Sequence, residues 1–156
     1  MIRPATAALL MVLCAPGASA GGSDTLYVRT EATLAQAVLA PGGIAEIRVR
    51  FTPADDIHVN ADPPVAVRLD SSAAWRTEGA PVASVDTRTG FLDASLPVRQ
   101  PVALDPGAAR GETTLKGEVI FYYCSDTEGW CRRAVAPFAL AVRVDPTAGL
   151  TRKSGR

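Results

Sequence analysis

The sequence predicts an all-β protein, an immunoglobulin-like β-sandwich with a hairpin that carries two cysteines. Three observations predict this fold. Apolar and polar residues alternate in seven or eight short segments, turn signals recur about every ten residues, and no segment has the period of a long helix. With 156 residues and no internal repeat or linker, the chain is expected to form one such domain.

The strands follow from this alternation, taken in chain order. Alternating apolar side chains predict strands over residues 26–30, 45–51, 65–69, 92–98, 115–124 and 138–144. Val102 and Leu104 continue the pattern beyond Pro101. Residues 32–40 fit either a strand or a short helix. Residues 71–90 are polar and irregular, which predicts a loop with one short strand near 82–85.

The first twenty residues have the order of a secretory signal peptide. One cation, Arg3, precedes an apolar run over residues 7–15 and the small triplet Ala18-Ser19-Ala20, so cleavage is expected near Ala20. Cys14 leaves with this segment, and lipid attachment to it is disfavoured because Leu13 is not small. We therefore expect a signal peptide over 1–20, one domain over 21–146 and a disordered basic tail over 147–156, in a periplasmic or secreted protein.

Charge balance and missing motifs argue against several classes of function. The formal net charge is zero, which does not favour a nucleic acid or an anionic membrane as the partner. The sequence has no nucleophile elbow, glycine-rich phosphate loop or serine–histidine–acid order. His58 is the only histidine, and the gap between Cys124 and Cys131 is wider than in zinc-binding loops, so neither a metal nor a cofactor is expected.

Cys124 and Cys131 lie at the two ends of a short polar loop between the last two predicted strands. In an oxidising compartment they are expected to form a disulfide, because neighbouring strands hold opposite residues close enough to bridge. Closing an eight-residue loop restricts the unfolded chain by only about 2.5 kcal/mol. The pair is thus a weak structural staple and a reasonable site of thiol exchange, and the spacing alone leaves both roles open.

Neighbouring charges rank the two thiols. Cys124 precedes Asp126 and Glu128, whose negative charges disfavour a thiolate. Cys131 precedes Arg132 and Arg133, whose positive charges favour one. The sequence therefore predicts Cys131 as the more nucleophilic sulfur and Cys124 as its resolving partner.

Several segments together carry a family resemblance. They are Leu39-Ala40-Pro41-Gly42-Gly43, His58-Val59-Asn60-Ala61-Asp62-Pro63-Pro64, Leu96-Pro97-Val98, Gly117-Glu118-Val119, Tyr122-Tyr123-Cys124 and Gly129-Trp130-Cys131. In this order they resemble the amino-terminal periplasmic domain of the thiol:disulfide interchange protein DsbD family, and they span most of the predicted mature chain. The cysteine hairpin is the most specific of them.

The resemblance implies an immunoglobulin-like fold in which Cys124 and Cys131 cycle between dithiol and disulfide. It also implies that a thioredoxin-like or membrane electron-transfer protein acts in trans, because neither such domain is present in this chain, and that electrons pass to oxidised periplasmic proteins. The family covers its disulfide with an aromatic-bearing loop, whereas residues 78–90 contain no aromatic side chain. Trp75 and Phe91 are therefore the candidates for this cap.

The sequence thus favours an exported thiol–disulfide exchange module. The alternative is a non-catalytic immunoglobulin-like binding module whose disulfide shapes a recognition hairpin, with Trp130 as the anchor for a partner. Tyr122, next to Tyr123 on the predicted strand, is a further candidate for recognition, because adjacent residues of a strand face opposite sides.

Overall fold

The computed structural model describes residues 21–24, 26–71 and 74–148, and these residues form ten strands and no helix. The strands are β1 (Gly21–Asp24), β2 (Val28–Leu34), β3 (Val38–Leu39), β4 (Ile44–Pro53), β5 (Ile57–Val59), β6 (Ala66–Leu69), β7 (Trp75–Thr77), β8 (Val98–Leu104), β9 (Gly111–Ser125) and β10 (Trp130–Val144). No helix that could span a membrane occurs in this part of the chain.

The strands form two sheets. The first has the order β1-β2-β4-β8-β7 and is antiparallel throughout. The second has the order β3-β10-β9-β5, in which β3 runs parallel to β10 and the other neighbours are antiparallel. Strand β6 pairs with the middle of β9, so that β6 and β5 lie one after the other along the same side of β9.

The core lies between the two sheets and follows from the period-two pattern. In β4 the apolar residues at every second position are buried, and in β10 the buried positions alternate with exposed ones along nearly the whole strand. Phe51 of the first sheet packs against Phe121 of the second, with ring centroids 4.8 Å apart. One cluster of buried side chains therefore joins both sheets, which confirms the predicted all-β class and agrees with a β-sandwich.

The longest pairing in the molecule is the hairpin of β9 and β10. Their antiparallel register runs from Trp130 opposite Ser125 to Val144 opposite Gly111. Gly117, near the middle of β9, lets β6 approach closely, because a Cβ atom there would lie 2.3 Å from the carbonyl oxygen of Arg68 and 2.8 Å from Cζ of Phe138. The hairpin forms the centre of the second sheet.

Several elements differ from the sequence prediction. Residues 32–34 continue β2 and 38–39 form β3, which resolves the strand-or-helix ambiguity in favour of strands. The loop predicted over 71–90 contains β7, and around 82–85 there are only single β-bridges, Val82 to Arg99 and Val85 to Leu92. Leu26, placed in a half-buried strand by the pattern, precedes β2 and is 88% exposed.

Strand β8 runs straight through Pro101, although proline lacks a backbone N–H. The Pro101 carbonyl still accepts hydrogen bonds from the backbone N–H of Glu78 (2.9 Å) and from Nε2 of buried Gln100 (2.8 Å). Gln100 Nε2 also donates to the Gly79 carbonyl at 3.1 Å. Strand pairing and a buried amide therefore keep the chain extended through Pro101, as the alternation beyond it predicted.

Two predicted boundaries fall mostly outside the described residues. These are the signal peptide over 1–20 and residues 149–156 of the predicted tail. The first two residues of that tail are described, and they form a turn: both the backbone N–H and the hydroxyl of Thr147 donate to Asp145 Oδ1, and the Ala148 N–H donates to the Asp145 carbonyl. The disordered tail predicted over 147–156 stays a prediction for the residues beyond this turn.

Candidate functional site at the Cys124–Cys131 disulfide

Cys124 and Cys131 are joined by a disulfide with an S–S distance of 2.03 Å. Cys124 is the penultimate residue of β9 and Cys131 is the second residue of β10. They are directly opposite each other in the hairpin register, with their Cα atoms 4.1 Å apart. The disulfide therefore links the two strands next to the loop that connects them.

The connecting loop is closed by its own backbone. The Gly129 N–H donates to the Ser125 carbonyl at 3.0 Å, and the Glu128 N–H donates to Ser125 Oγ at 3.1 Å. Gly129 has a φ of +69°, which glycine adopts without the steric cost that a side chain brings. This geometry returns the chain to β10 in the register that brings the cysteines together.

Asp56, in the turn between β4 and β5, fixes this loop from outside the hairpin. Its Oδ2 accepts from Ser125 Oγ at 2.9 Å and from the Thr127 N–H at 3.3 Å, and its Oδ1 accepts from Thr127 Oγ1 at 2.6 Å. The hydrogen bond from the Thr127 hydroxyl, followed by that from Ser125, lowers the pKa of Asp56 below its ordinary value. An ionised carboxylate thus holds the loop beside the disulfide.

The two sulfur-bearing residues differ in exposure. Cys124 is only 6% exposed, whereas Cys131 is exposed. Cys124 Sγ lies 3.3 Å from Asn60 Oδ1, a contact that becomes a hydrogen bond when reduction gives the sulfur a proton to donate. A reagent from solution therefore reaches the Cys131 side of the bond, while the Cys124 side faces the protein.

His58 lies next to Cys124 across the sheet. The two residues are paired in the register of β5 and β9, so their side chains leave the same face of the sheet. The imidazole stacks on the ring of Phe91, with centroids 3.5 Å apart and planes inclined by 12°. His58 Nδ1 is buried and lies 3.3 Å from Asp126 Oδ2 of the hairpin loop, in a contact whose alignment falls short of a hydrogen bond.

Phe91 reaches this site because a short turn folds back onto β5. The Gly90 N–H donates to the Asp86 carbonyl at 2.7 Å, and Phe91 forms a β-bridge with Asn60. The Leu92 N–H donates to the Val59 carbonyl at 3.0 Å. Of the two aromatic residues considered for a cap, the structure places Phe91 beside the site, in contact with His58.

Trp75 lies elsewhere. It begins β7 at the edge of the first sheet, opposite Leu104, and is 7% exposed. Its side chain packs in the core between the sheets. Its strand belongs to the first sheet, whereas the two cysteines lie in β9 and β10 of the second sheet. The structure does not bring Trp75 to the cysteines.

The side chains of β10 alternate between two faces, and this separates residues that the sequence grouped together. Arg133 is opposite Tyr122, on the face that carries the disulfide. Trp130 and Arg132 lie on the other face. There the Trp130 ring packs 5.1 Å from the Tyr27 ring, and the Arg132 guanidinium carbon lies 4.4 Å over the Trp130 ring.

This alternation changes the expected effect of the two arginines. Arg133 is two positions from Cys131 on the same face and can favour its thiolate, whereas Arg132 is engaged in a cation–π contact across the sheet. The indole Nε1 of Trp130 donates to Glu128 Oε2, so the indole and its neighbouring carboxylate are paired with each other.

Three residues of this site were not predicted as functional. They are Asp56, His58 and Asn60. The alternation His58-Val59-Asn60 places the side chains of His58 and Asn60 on one face of a strand, and this signal was present in the sequence. What the sequence lacked was the register that sets this face against Cys124.

The chemistry available to this arrangement is that of two thiols, one imidazole and carboxylates. Within the described ranges, no group of three or more histidine, cysteine, aspartate and glutamate residues is placed to hold a metal ion. A disulfide with one exposed and one buried end can exchange with an incoming thiolate.

Comparison with known proteins gives little beyond the architecture. No family model and no curated protein matches the chain. Among solved structures, it is similar to the crystal structure of the GAE domain of yeast GGA1, with a TM-score of 0.44 and 9% identity, covering 76% of this chain and 95% of that one. At that TM-score the description of the fold rests on the strand pairing itself.

Proposed function

We propose that this protein is an exported thiol–disulfide exchange module of immunoglobulin-like fold, with Cys124 and Cys131 as its redox pair. The observation that carries the proposal is the unequal exposure of the two residues, with Cys131 open to solvent and Cys124 only 6% exposed. A purely structural staple gains nothing from an exposed end, whereas exchange requires that a partner's thiolate reach one sulfur of the pair.

Exchange at this site begins on Cys131. A thiolate of a reduced partner attacks Cys131 Sγ, a mixed disulfide forms, and the S–S bond to Cys124 breaks with its electron pair on Cys124 Sγ, which then takes up a proton. The second thiolate of the partner then attacks the partner's first sulfur in the mixed disulfide. The Cys131 thiolate is released. Two electrons have then passed from the partner to this protein, and the same steps in reverse deliver them to an oxidised protein.

Arg133 and the hairpin geometry support Cys131 as the sulfur that forms the mixed disulfide. Arg133 lies on the same face as Cys131 and stabilises its thiolate, which makes this sulfur the better leaving group of the mixed disulfide. Cys124 stays beside its partner in the register of β9 and β10 and is positioned to resolve the intermediate. This assignment agrees with the order of the two cysteines in the DsbD family that the sequence resembles.

The partner is a thioredoxin-like or membrane electron-transfer protein acting in trans, and the acceptors are oxidised proteins of the periplasm. This part of the proposal rests on the family resemblance and on the secretory signal in the sequence. An oxidising compartment is also the place where such a pair persists as a disulfide between rounds of exchange.

The test is trapping with single cysteine variants. Cys124→Ser leaves the exposed thiol without its resolving partner and should accumulate a mixed disulfide with a thioredoxin-like protein that keeps one active-site cysteine, activated as its thionitrobenzoate disulfide, detected as a reducible band of higher mass. Cys131→Ser leaves the buried thiol and should give at least tenfold less of this band. If neither variant is trapped and the wild-type disulfide resists reduction at about −300 mV, the disulfide is structural.

A second candidate function is recognition without exchange. The observation that favours it is the cluster of Trp130, Tyr27 and Arg132 on the face opposite the disulfide, where a partly buried indole and an exposed arginine lie side by side. In a pull-down, Trp130→Ala should then lower the yield of captured partner, while Cys124→Ser should cost mainly stability. A yield unchanged by Trp130→Ala would rule this cluster out as the docking surface.

A further inference from the structure

We propose that His58 exchanges a proton with Cys124 during thiol–disulfide exchange, and that Asp126 orients its imidazole. This inference rests on the proposed function and names the residue that handles the proton of the buried sulfur. Cys124, His58 and Asp126 follow one another in space. In such an arrangement a base acts on a thiol while a third group positions the base.

The first observation is position. His58 is opposite Cys124 in the register of β5 and β9, so the two side chains are neighbours on one face, on the side of Cys124 away from Cys131. Cys124 is 6% exposed and its sulfur has Asn60 Oδ1 at 3.3 Å. Bulk water has little access to this sulfur, so a protein group is needed to supply its proton.

The second observation is that the imidazole has neighbours on two sides. The Phe91 ring is stacked on it at 3.5 Å, and its Nδ1 lies 3.3 Å from Asp126 Oδ2. With Nδ1 turned toward a carboxylate, Nε2 is the nitrogen that remains for the proton of Cys124. The side chain of His58 is only 15% exposed, whereas that of Asp126 is 68% exposed, so the carboxylate is hydrated while the ring is sheltered.

In the proposed mechanism a proton moves between His58 and Cys124 Sγ as the disulfide breaks and forms. When a thiolate attacks Cys131 Sγ and the S–S bond breaks, the electron pair goes to Cys124 Sγ, and the proton on the imidazolium of His58 moves to that sulfur. In the reverse direction neutral His58 removes the proton from Cys124, and the resulting thiolate attacks Cys131 Sγ in the mixed disulfide and expels the partner's thiolate.

The groups that bear on His58 are few. Asp126 faces it from the hairpin loop, and Asp56 acts on it electrostatically from the preceding turn. Cys124 faces it from β9, and the Phe91 segment contributes an apolar ring. Arg133 lies on the same face, one strand farther away on β10.

The test compares wild type with His58→Phe and His58→Gln. His58→Phe keeps an aromatic ring against Phe91 and removes the nitrogens, and His58→Gln keeps polarity and removes the ring. The readout is the rate at which dithiothreitol reduces the disulfide between pH 5 and pH 9, corrected for the reagent's thiolate concentration and followed by mass spectrometry after acid quenching. We expect both variants to be slower by about tenfold at pH 6, with the difference shrinking toward pH 9, because general acid catalysis by a histidine side chain is strongest at low pH.

Asp126→Asn should lower the rate at pH 6 in the same direction, and Asp55→Asn, an equal change of charge in the neighbouring turn, should not. A loss that is the same at every pH, or profiles that superimpose on the wild type, would overturn the proposal, because a structural role moves the whole curve. Thermal unfolding of each variant identifies those that fail to fold.

A second readout separates this inference from the exchange function itself. In a Cys131→Ser background, alkylation of Cys124 by iodoacetamide against pH reports its ionisation directly. Loss of His58 should shift the midpoint of that curve to higher pH, and an unshifted curve contradicts the proposal. This measurement remains decisive if the wild-type protein proves unable to exchange with any thioredoxin-like partner, which would defeat the proposed function alone.

Discussion

At the scale of single residues, the disulfide joins two cysteines whose environments differ. Cys131 is exposed and has Arg133 on its face, whereas Cys124 is buried beside Asn60 and His58. Charges along the sequence predicted which sulfur is the more reactive, but they could not show that burial points the same way. The structure adds the environment of the leaving sulfur, which decides how its charge is neutralised.

Asp56 gives a prediction at this scale. Hydrogen bonds from Thr127 and Ser125 lower its pKa in the folded protein below the ordinary value of 3.8. A carboxyl group whose folded pKa is depressed contributes stability that is present above its unfolded pKa and is lost as the pH falls through the folded pKa. Asp56→Asn should therefore be less stable than wild type at pH 7, and the difference should shrink as the pH falls below about 3.8.

Urea unfolding midpoints of the two proteins between pH 7 and pH 2.5 measure this difference. Asparagine suits position 56 because the backbone there has a φ of +66°, which asparagine tolerates, so the substitution removes charge without adding backbone strain. Asp55→Asn is the matched control, since it changes the adjacent charge in the same turn. An equal loss in both variants would show that net charge matters and the hydrogen bonds do not.

At the scale of elements, the β9–β10 hairpin determines where every site residue lies. Its fifteen-residue strands give a long register, and one position along either strand moves a side chain to the other face of the sheet. Neighbours in sequence, such as Cys131 and Arg132, therefore act on different surfaces. The turn of the hairpin and the approach of β6 depend on two glycines.

These two glycines should respond differently to alanine. A Cβ atom at Gly129 would meet open space, but the φ there is +69°, so Gly129→Ala should cost about 1 kcal/mol through backbone strain alone. Gly117→Ala should cost more, because its Cβ would lie 2.3 Å from the Arg68 carbonyl oxygen and force β6 away from β9. Hydrogen exchange should then show lost protection over residues 66–69 in Gly117→Ala only, and equal effects of the two variants would contradict this account.

Strands with strict alternation of apolar and polar residues could be predicted from the sequence. Strands that exist only through pairing with a neighbouring strand could not. The buried faces of β4 and β10 could be read from Ile47 or Leu140 and their neighbours at every second position. Strand β7 was missed because a three-residue strand has no period of its own and exists through its pairing with β8. The side of the sheet that Trp130 occupies was equally hidden, because only the register assigns the residues next to the turn to a face.

At the scale of the whole molecule, we expect the fold to persist without the disulfide. The bond closes a short loop at one end of a long hairpin, while one core cluster joins both sheets. The proposed exchange function needs two folded states that differ by one bond, and this arrangement of the core and the disulfide is compatible with that need.

The corresponding prediction compares reduction with a change in the core. Reduction should lower the free energy of unfolding by about 2.5 kcal/mol and leave the circular dichroism spectrum unchanged. Phe121→Ala, at a side chain that is 0% exposed and packs on Phe51, should cost about 3–5 kcal/mol. Urea unfolding with and without reductant measures both, and a protein that unfolds on reduction would contradict this view of the fold.

The position of Cys131 on β10 has a consequence for how a partner would arrive in the proposed exchange. At its Cys131 end this strand pairs with β9 only among the described strands, because β3 joins it at Arg143 and Val144. An attacking sulfur enters in line with the bond that it breaks, so it must travel along the Cys124-to-Cys131 axis from the side opposite Cys124. In the proposed exchange, that trajectory limits productive encounters to partners that present their thiolate on a projecting tip or along an extended segment.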